Sequence, residues 1–279
     1  MTLTGTTRLA GVIGHPITHT VSPAMHNAAY AHLGLDCAYI PLHVLPEALE
    51  AAIMGLRAFE FLGANVTLPY KEAVIPYLDE LDMSAQKAQA VNTIVNQDGW
   101  LIGYNTDGAG FVYSVQNEAH FSLKKKCVLI LGAGGAAKGI AHRLLQEGIY
   151  ALTLLNRSHE RAEHLAKALS GSATLIKVAT HHDPLAELLA QADLVINTTP
   201  LGMTPDLDAS PLSAYEGLSN ATLCCDIIYK PAETLFLKKA KEKGASILGG
   251  AGMLAGQGML AFELMTGKSI PFDIMRAQL

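Results

Sequence analysis

Two groups of residues in this chain have types and spacings that could do chemistry. The first is Gly132-Ala133-Gly134-Gly135-Ala136-Ala137, which follows the apolar run Cys127–Leu131 and fits the pattern G-x-G-x-x-A. In that pattern the first glycine permits a tight turn and the second lets backbone approach a pyrophosphate. The final alanine lets helix and strand pack closely, and free N–H groups at the helix start face the anion. Any tight strand-to-helix turn also favours glycines, so the reading depends on a strand before, a helix after and a second strand beyond. That second strand, Ala151–Leu155, ends in Asn156-Arg157-Ser158, with Arg161 a helical turn further on and no carboxylate at the tip. An acidic residue there would hold a ribose 2′-hydroxyl, whereas a guanidinium with small donors suits a 2′-phosphate. The expected dinucleotide is therefore NADP rather than NAD, although Ser158 also suits a helix N-cap beside two surface arginines.

The second group lies in the first 108 residues. Asn65-Val66-Thr67-Leu68-Pro69-Tyr70-Lys71 ends an apolar run in a loop carrying Asn, Thr and Lys. Ala90-Val91-Asn92-Thr93 and Gly103-Tyr104-Asn105-Thr106-Asp107-Gly108 set further Asn, Thr and Asp beside expected strand edges. Ligands of α/β sheets bind at the carboxyl ends of strands, so these groups could converge on one crevice. Asn, Asp and Gly are also ordinary turn formers, and each alone reads that way. His15 and His19 stand four apart, but Pro16 intervenes and they do not share a helix face, so no metal is expected. Neither G-x-S-x-G nor H-E-x-x-H occurs.

These residues need elements to position them. Short apolar runs alternate with helical patterns, the signature of an α/β protein. Leu9–Ile13, Ala38–Val44 and Phe61–Leu68 read as strands; Ser22-Pro23 reads as a helix N-cap with proline at N1, and Pro46-Glu47 as another helix start. Asn92–Val95 and Trp100–Tyr104 read as strands joined through Gln97-Asp98-Gly99. After Cys127–Leu131, a helix with Ala137, Ile140, Ala141, Leu144 and Leu145 on one face ends at Gly148. Ala151–Leu155, Leu194–Thr198, Leu223–Ile228 and Ser246–Leu248 read as later parallel strands. Met253, Leu254, Leu260, Ala261 and Leu264 mark the core face of a C-terminal helix.

Composition narrows the function classes. At 279 residues the chain suits two compact domains; half of it is hydrophobic and 16% is charged. A net charge of −5 argues against nucleic acid, the densest basic stretch, Lys124-Lys125-Lys126, reading as a solvated lead-in to the next strand, and no stretch reaches a membrane-spanning length. Cys37, Cys127, Cys224 and Cys225 form no CxxC pair and read as reduced thiols, and Met1–Thr7 lacks a signal-peptide layout. A cytoplasmic protein acting on a small molecule is expected.

The chain also carries a resemblance. Gly14-His15-Pro16-Ile17-Thr18-His19-Thr20-Val21-Ser22-Pro23-Ala24-Met25-His26-Asn27 looks like the segment G-x-P-I-x-H-S-x-S-P-x-x-H-N of the shikimate dehydrogenase family. Asn65–Lys71, Ala90–Thr93, Asn105–Gly108, Gly132–Gly135 and Asn156–Ser158 match in the family's order. So do Asn197–Met203 and Gly252–Gln257, and together the matches span nearly the whole chain. The resemblance implies an N-terminal α/β substrate domain, a Rossmann-type doubly wound parallel-sheet nucleotide domain and a C-terminal helix returning to the first. The expected boundaries are 1–107 completed by 250–279, and 108–249. It implies reversible NADPH-dependent reduction of 3-dehydroshikimate to shikimate by a monomer or homodimer. It assigns Lys71 and Asp107 as the catalytic pair and Thr20, Ser22, Asn65, Thr67, Asn92, Tyr229 and Gln257 as substrate contacts. Gly132, Ala133, Gly134, Gly135, Ala136, Asn156, Arg157, Ser158 and Arg161 would bind NADP, and Asn197, Thr198, Met203, Ile227 and Gly250 would lie on the nicotinamide side.

Four positions depart from the family pattern. Thr20 replaces the first serine of S-x-S, Gln89 a common glycine, Lys138 a common arginine and Lys230 a common asparagine. The Thr20 methyl narrows the carboxylate end of the pocket, which keeps a quinate/shikimate dehydrogenase using NAD in view. A non-catalytic ligand sensor on the same fold is the other alternative, and the intact Lys71 and Asp107 argue against it.

Overall fold

A computed structural model describes residues 3–180 and 183–279. The chain divides into two compact units, one of residues up to Gly110 with Ala255–Leu279, the other Phe111–Leu254. The first contains β1 (Arg8–Gly14), α1 (Ser22–His32), β2 (Cys37–His43), α2 (Leu49–Ala58), β3 (Gly63–Val66) and β4 (Glu80–Leu81). It continues with α3 (Met83–Ala88), β5 (Thr93–Gln97) and β6 (Trp100–Tyr104). α4 (Asp107–Asn117) leads into the second unit, which holds β7 (Cys127–Leu131), α5 (Gly135–Gln146), β8 (Ala151–Leu155), α6 (His159–Ala168) and β9 (Leu175–Ala179). There follow α7 (Leu185–Gln191), β10 (Leu194–Asn197), β11 (Leu223–Asp226), α8 (Leu235–Glu242) and β12 (Ser246–Leu248). α9 (Ala251–Thr266) and α10 (Phe272–Arg276) end the chain.

The second unit's sheet has the order β12-β11-β10-β7-β8-β9, with every pair parallel. Counted from β7, this is the doubly wound dinucleotide-binding order read from its far edge. Alternate residues enter opposite cores: Val128, Ile130, Leu152, Leu154, Leu194 and Ile196 face one, while Leu129, Leu131, Val195 and Cys224 face the other. Burial on both faces is why these strands read as unbroken apolar runs rather than as alternating patterns. Burial also pushes the Cys224 thiol up to about 12 and Cys225 well above its usual value, which leaves both unreactive.

The first unit's sheet, β2-β1-β3-β5-β6-β4, is mixed. β1 pairs parallel with β2 and β3, whereas β5 runs antiparallel to both β3 and β6. The β5–β6 hairpin turns at Asp98 and Gly99, both at positive φ (51° and 92°), as a two-residue hairpin requires.

Several elements differ from the sequence expectation. Ser22 does not cap α1: it is the first helical residue, and its own N–H donates to Thr20 Oγ1 at 3.3 Å. β3 stops at Val66 rather than Leu68, since Pro69 has no N–H to continue a ladder. β9 was hidden in an edge segment interrupted by Lys177. In α9, Phe262 and Met265 are buried while Leu264 is 37% exposed, because a helix apolar on most sides does not reveal its core face by period.

On α1, His26 is 1% exposed, stacks on Tyr39 at 4.1 Å between centroids and leaves Nδ1 without a partner. Burial alone lowers its pKa to about 3. The unfolded chain therefore takes up a proton below about pH 6.5 that the folded chain refuses, and stability falls as pH drops from there toward 3. The slope is about 1.4 kcal/mol per pH unit, so urea unfolding should show about 2 kcal/mol lost from this residue between pH 6.5 and 5. His26→Phe keeps a ring against Tyr39 and should flatten that dependence; an unchanged slope would assign it elsewhere.

Candidate active site

Reversal of strand direction gathers the polar loops of the first unit. Because β5 runs against β3 and β6, its amino end lies beside their carboxyl ends, with Asn65 opposite Thr93 and Thr93 opposite Tyr104. The loop after β3 carries Lys71, the approach to β5 carries Asn92, and the link from β6 to α4 carries Asn105, Thr106 and Asp107. All three meet at one edge of the sheet.

There Lys71 Nζ donates to Asp107 Oδ2 at 2.6 Å, with side chains 23% and 7% exposed. The other carboxylate oxygen of Asp107 accepts from Asn92 Nδ2 at 2.9 Å. The same amide nitrogen lies 2.9 Å from Thr106 Oγ1 and 3.3 Å from Gln257 Oε1. Asn92 Oδ1 accepts from the Thr106 N–H at 2.8 Å. Asp107 is the first residue of α4, so its charge also sits at the favourable end of the helix dipole. Asn65 joins the cluster from β3: its Nδ2 donates to Asn92 O and Thr93 Oγ1, both at 3.1 Å, and its Oδ1 accepts from Tyr39 OH at 2.7 Å. Burial holds the Tyr39 phenol well above its usual pKa, so it stays a donor.

The structure thus joins Lys71, Asp107, Asn65, Asn92 and Gln257 in one hydrogen-bonded network. Among the described residues, Thr20, Ser22 and Thr67 stand outside it. Thr20, in the link from β1 to α1, and Ser22, the first residue of α1, are partly buried, while the Thr67 N–H donates to Ile13 O at 2.9 Å. His15 Nδ1 lies 2.7 Å from His43 Nε2 rather than pairing with His19. Asn105 and Thr106, which the sequence places among the polar residues at the strand edges without a role of their own, precede Asp107 in the matched segment, whereas nothing in sequence points to Tyr39.

In the second unit, Gly132 follows β7 at φ 113°, and a Cβ there would come 2.4 Å from Thr198 Oγ1. A Cβ on Gly134 would meet nothing, and no side chain caps the start of α5. Ala137 is fully buried where helix and strand meet. The turn therefore leaves backbone N–H groups open to an anion, and a dinucleotide pyrophosphate fits it. At the tip of β8, Asn156 Nδ2 donates to Ser158 O at 2.8 Å, Ser158 caps α6, and Arg157 and Arg161 are exposed. Thr198 Oγ1 donates to Leu131 O at 2.7 Å. The buried Asn197 donates to Asp226, which also accepts from Thr234 Oγ1 at 2.7 Å and Ile228 N–H at 3.0 Å. Burial pushes the Asp226 carboxyl up against these hydrogen bonds. The network braces the strand tips from which Thr198, Ile227 and Tyr229 extend. Burial also raises the Tyr229 phenol. Met203 is 42% exposed, and Gly250 has no room for a Cβ, which would fall 2.2 Å from Ile227 O.

Comparison with known proteins agrees with both halves. Residues 12–94 match the shikimate dehydrogenase substrate binding domain, 114–205 the shikimate/quinate 5-dehydrogenase domain and 250–279 the shikimate 5′-dehydrogenase C-terminal domain. The NADP(+) shikimate dehydrogenase of Carboxydothermus hydrogenoformans is 46% identical over 99% of this chain and 98% of its own. The chain belongs to the shikimate dehydrogenase family. Shikimate 5-dehydrogenase from Listeria monocytogenes, solved with shikimate and NAD, superposes with a TM-score of 0.93 at 35% identity, covering 99% of this chain and 97% of that one. The Thermus thermophilus enzyme, solved with NADP(H) and shikimate, gives 0.88 at 36% identity over 97% and 98%.

Gln257 reaches Asn92 because α9 approaches α4 closely. A Cβ on Gly110 would lie 2.4 Å from the Gln257 nitrogen, and one on Gly256 would lie 2.9 Å from Gly110 O. Gly110→Ala should therefore cost about 2–3 kcal/mol in chemical unfolding. Gly55→Ala in α2, whose Cβ would meet only Phe59 at 3.8 Å, should gain up to about 1 kcal/mol. Equal effects in the two variants would contradict the helix contact.

Proposed function

We propose that the chain reduces 3-dehydroshikimate to shikimate with NADPH, reversibly, and that Lys71 and Asp107 carry the chemistry. The observation behind this is the Lys71 ammonium, within the segment matching the family's substrate-binding domain, held at 2.6 Å by the buried carboxylate of Asp107, which lies beyond that segment. One Nζ–H goes to Asp107, which leaves two for a substrate oxygen. NADPH, when bound, supplies the hydride to the ketone carbon. As negative charge grows on the carbonyl oxygen, Lys71 stabilises it and delivers the proton; in the reverse direction the neutral amine accepts that proton from the hydroxyl. Asp107 orients Lys71, and the 23% exposure of Lys71 leaves it a path to solvent for proton return.

In this reading Thr20 and Ser22 hold the substrate carboxylate, while Asn65, Thr67, Asn92, Tyr229 and Gln257 hold its hydroxyls. Gly132 to Ala136 bind the pyrophosphate, and Asn156, Arg157, Ser158 and Arg161 hold the 2′-phosphate. Thr198, Met203, Ile227 and Gly250 lie on the nicotinamide side. Substrate binding and catalysis belong to residues 1–107 with 250–279, and NADP binding to 108–249. The enzyme works as a monomer or homodimer and acts in the cytoplasm, in keeping with its four free cysteines, three of them buried.

Following NADPH oxidation with 3-dehydroshikimate tests the reaction; preferential turnover of quinate with NAD would replace it with the quinate reading. Lys71→Ala should lower kcat by about 10²- to 10⁴-fold with a smaller change in KM. Turnover preserved in that variant would remove Lys71 from the chemistry.

Arg157→Ala should weaken NADP by about tenfold or more, the worth of a charge-assisted hydrogen bond, and leave NAD affinity nearly unchanged. An equal loss for both cofactors would argue against phosphate recognition.

A further inference from the structure

We infer that Asn105 is the positioning residue that sets the Lys71–Asp107 distance, an inference that rests on the reading of that pair as catalytic. Asn105 is 7% exposed and follows β6. Its Oδ1 accepts the Asp107 N–H at 3.1 Å, the Asx-turn bond that fixes the backbone of a residue two positions on. Its Nδ2 donates to Ala90 O at 3.0 Å. The next residue, Val91, donates its N–H to Lys71 O at 2.7 Å. One amide therefore ties the backbone of the carboxylate directly and the backbone of the ammonium through a single intervening peptide.

Asn105 is itself anchored from the opposite side. Its N–H donates to Ser84 Oγ at 3.0 Å, and Ser84 Oγ donates to Asp82 Oδ1 at 2.5 Å, at the capped start of α3. Asn105 is thus held from the α3 side as well as through Ala90 and Asp107. Removing the amide frees Asp107 to move relative to Lys71, and displacement of a reacting group by about 1 Å can cost 10²-fold in rate. Serine at this position keeps an acceptor for the Asp107 N–H, more weakly, but cannot reach Ala90 O.

The test compares Asn105→Ala, Asn105→Ser and Lys71→Ala in the full-length enzyme, each assayed well below its own unfolding midpoint. Asn105→Ala should lower kcat by about 10- to 10²-fold, with KM for 3-dehydroshikimate changed less than about threefold. Asn105→Ser should recover part of kcat. A purely structural role would lower the unfolding midpoint and leave kcat per folded enzyme alone. Equal kcat in the Ala and Ser variants, a defect confined to KM, or wild-type kcat in Asn105→Ala while Lys71→Ala is inactive, would overturn the positioning role. If Asn105→Ala does not fold, the Ser variant decides, and unchanged kcat there overturns the inference. Turnover preserved in Lys71→Ala would instead overturn the catalytic pair, and the role of Asn105 with it.

Discussion

A lysine and an aspartate can share a half-buried site only when the groups around them replace the water that both have lost. The attraction between two charges in a protein interior does not by itself offset their desolvation. Here the remainder comes from Asn92, which donates to one carboxylate oxygen, and from the α4 dipole behind it. Asn92 also donates to Gln257, which lies 150 positions beyond Asp107. The constraint on the first unit is thus to bring several strand ends to one point. Its sheet meets that constraint by turning from parallel to antiparallel at β5, which puts an amino end among carboxyl ends.

The second unit answers a different requirement. Its sheet is parallel throughout and buried on both faces, so polar chemistry is confined to the strand tips. The tip of β7 carries the open glycine turn, that of β8 carries Asn156 and Arg157, and those of β10 and β11 carry Thr198 and Ile227. A buried carboxylate such as Asp226 survives there because it accepts from Asn197, Thr234 and the Ile228 N–H. The tips of β10 and β11 are thereby tied to each other through Asn197 and Asp226.

This difference explains what could be read from sequence. β7 and β8 fall where their apolar runs place them, since burial on both faces leaves no pattern to misread. The glycine turn was legible because a φ of 113° at Gly132 admits little else. β9 was not, because an edge strand needs only one apolar face and tolerates Lys177. In the first unit the polar loops were legible as loops, and their meeting place was not. That Asn92 bonds Asp107, or Tyr39 bonds Asn65, depends on strand direction and register, which local spacing does not encode. The roles of Lys71 and Asp107 came from resemblance rather than from any property of a lone lysine in a turn.

Gln89 shows how far backbone geometry outweighs side-chain identity near the pair. It ends α3 in the left-handed region at φ 51°, ψ 35°, where the family commonly has glycine. A glutamine there costs about 1 kcal/mol more than glycine, so the conformation itself must be required. The next two residues supply the reason: Ala90 O accepts from Asn105 and the Val91 N–H holds Lys71 O. Without the left-handed turn, the chain leaving α3 could not present both groups to the edge where Lys71 and Asp107 meet. Glycine and glutamine do the same work at this position, because that work is done by the peptides that follow.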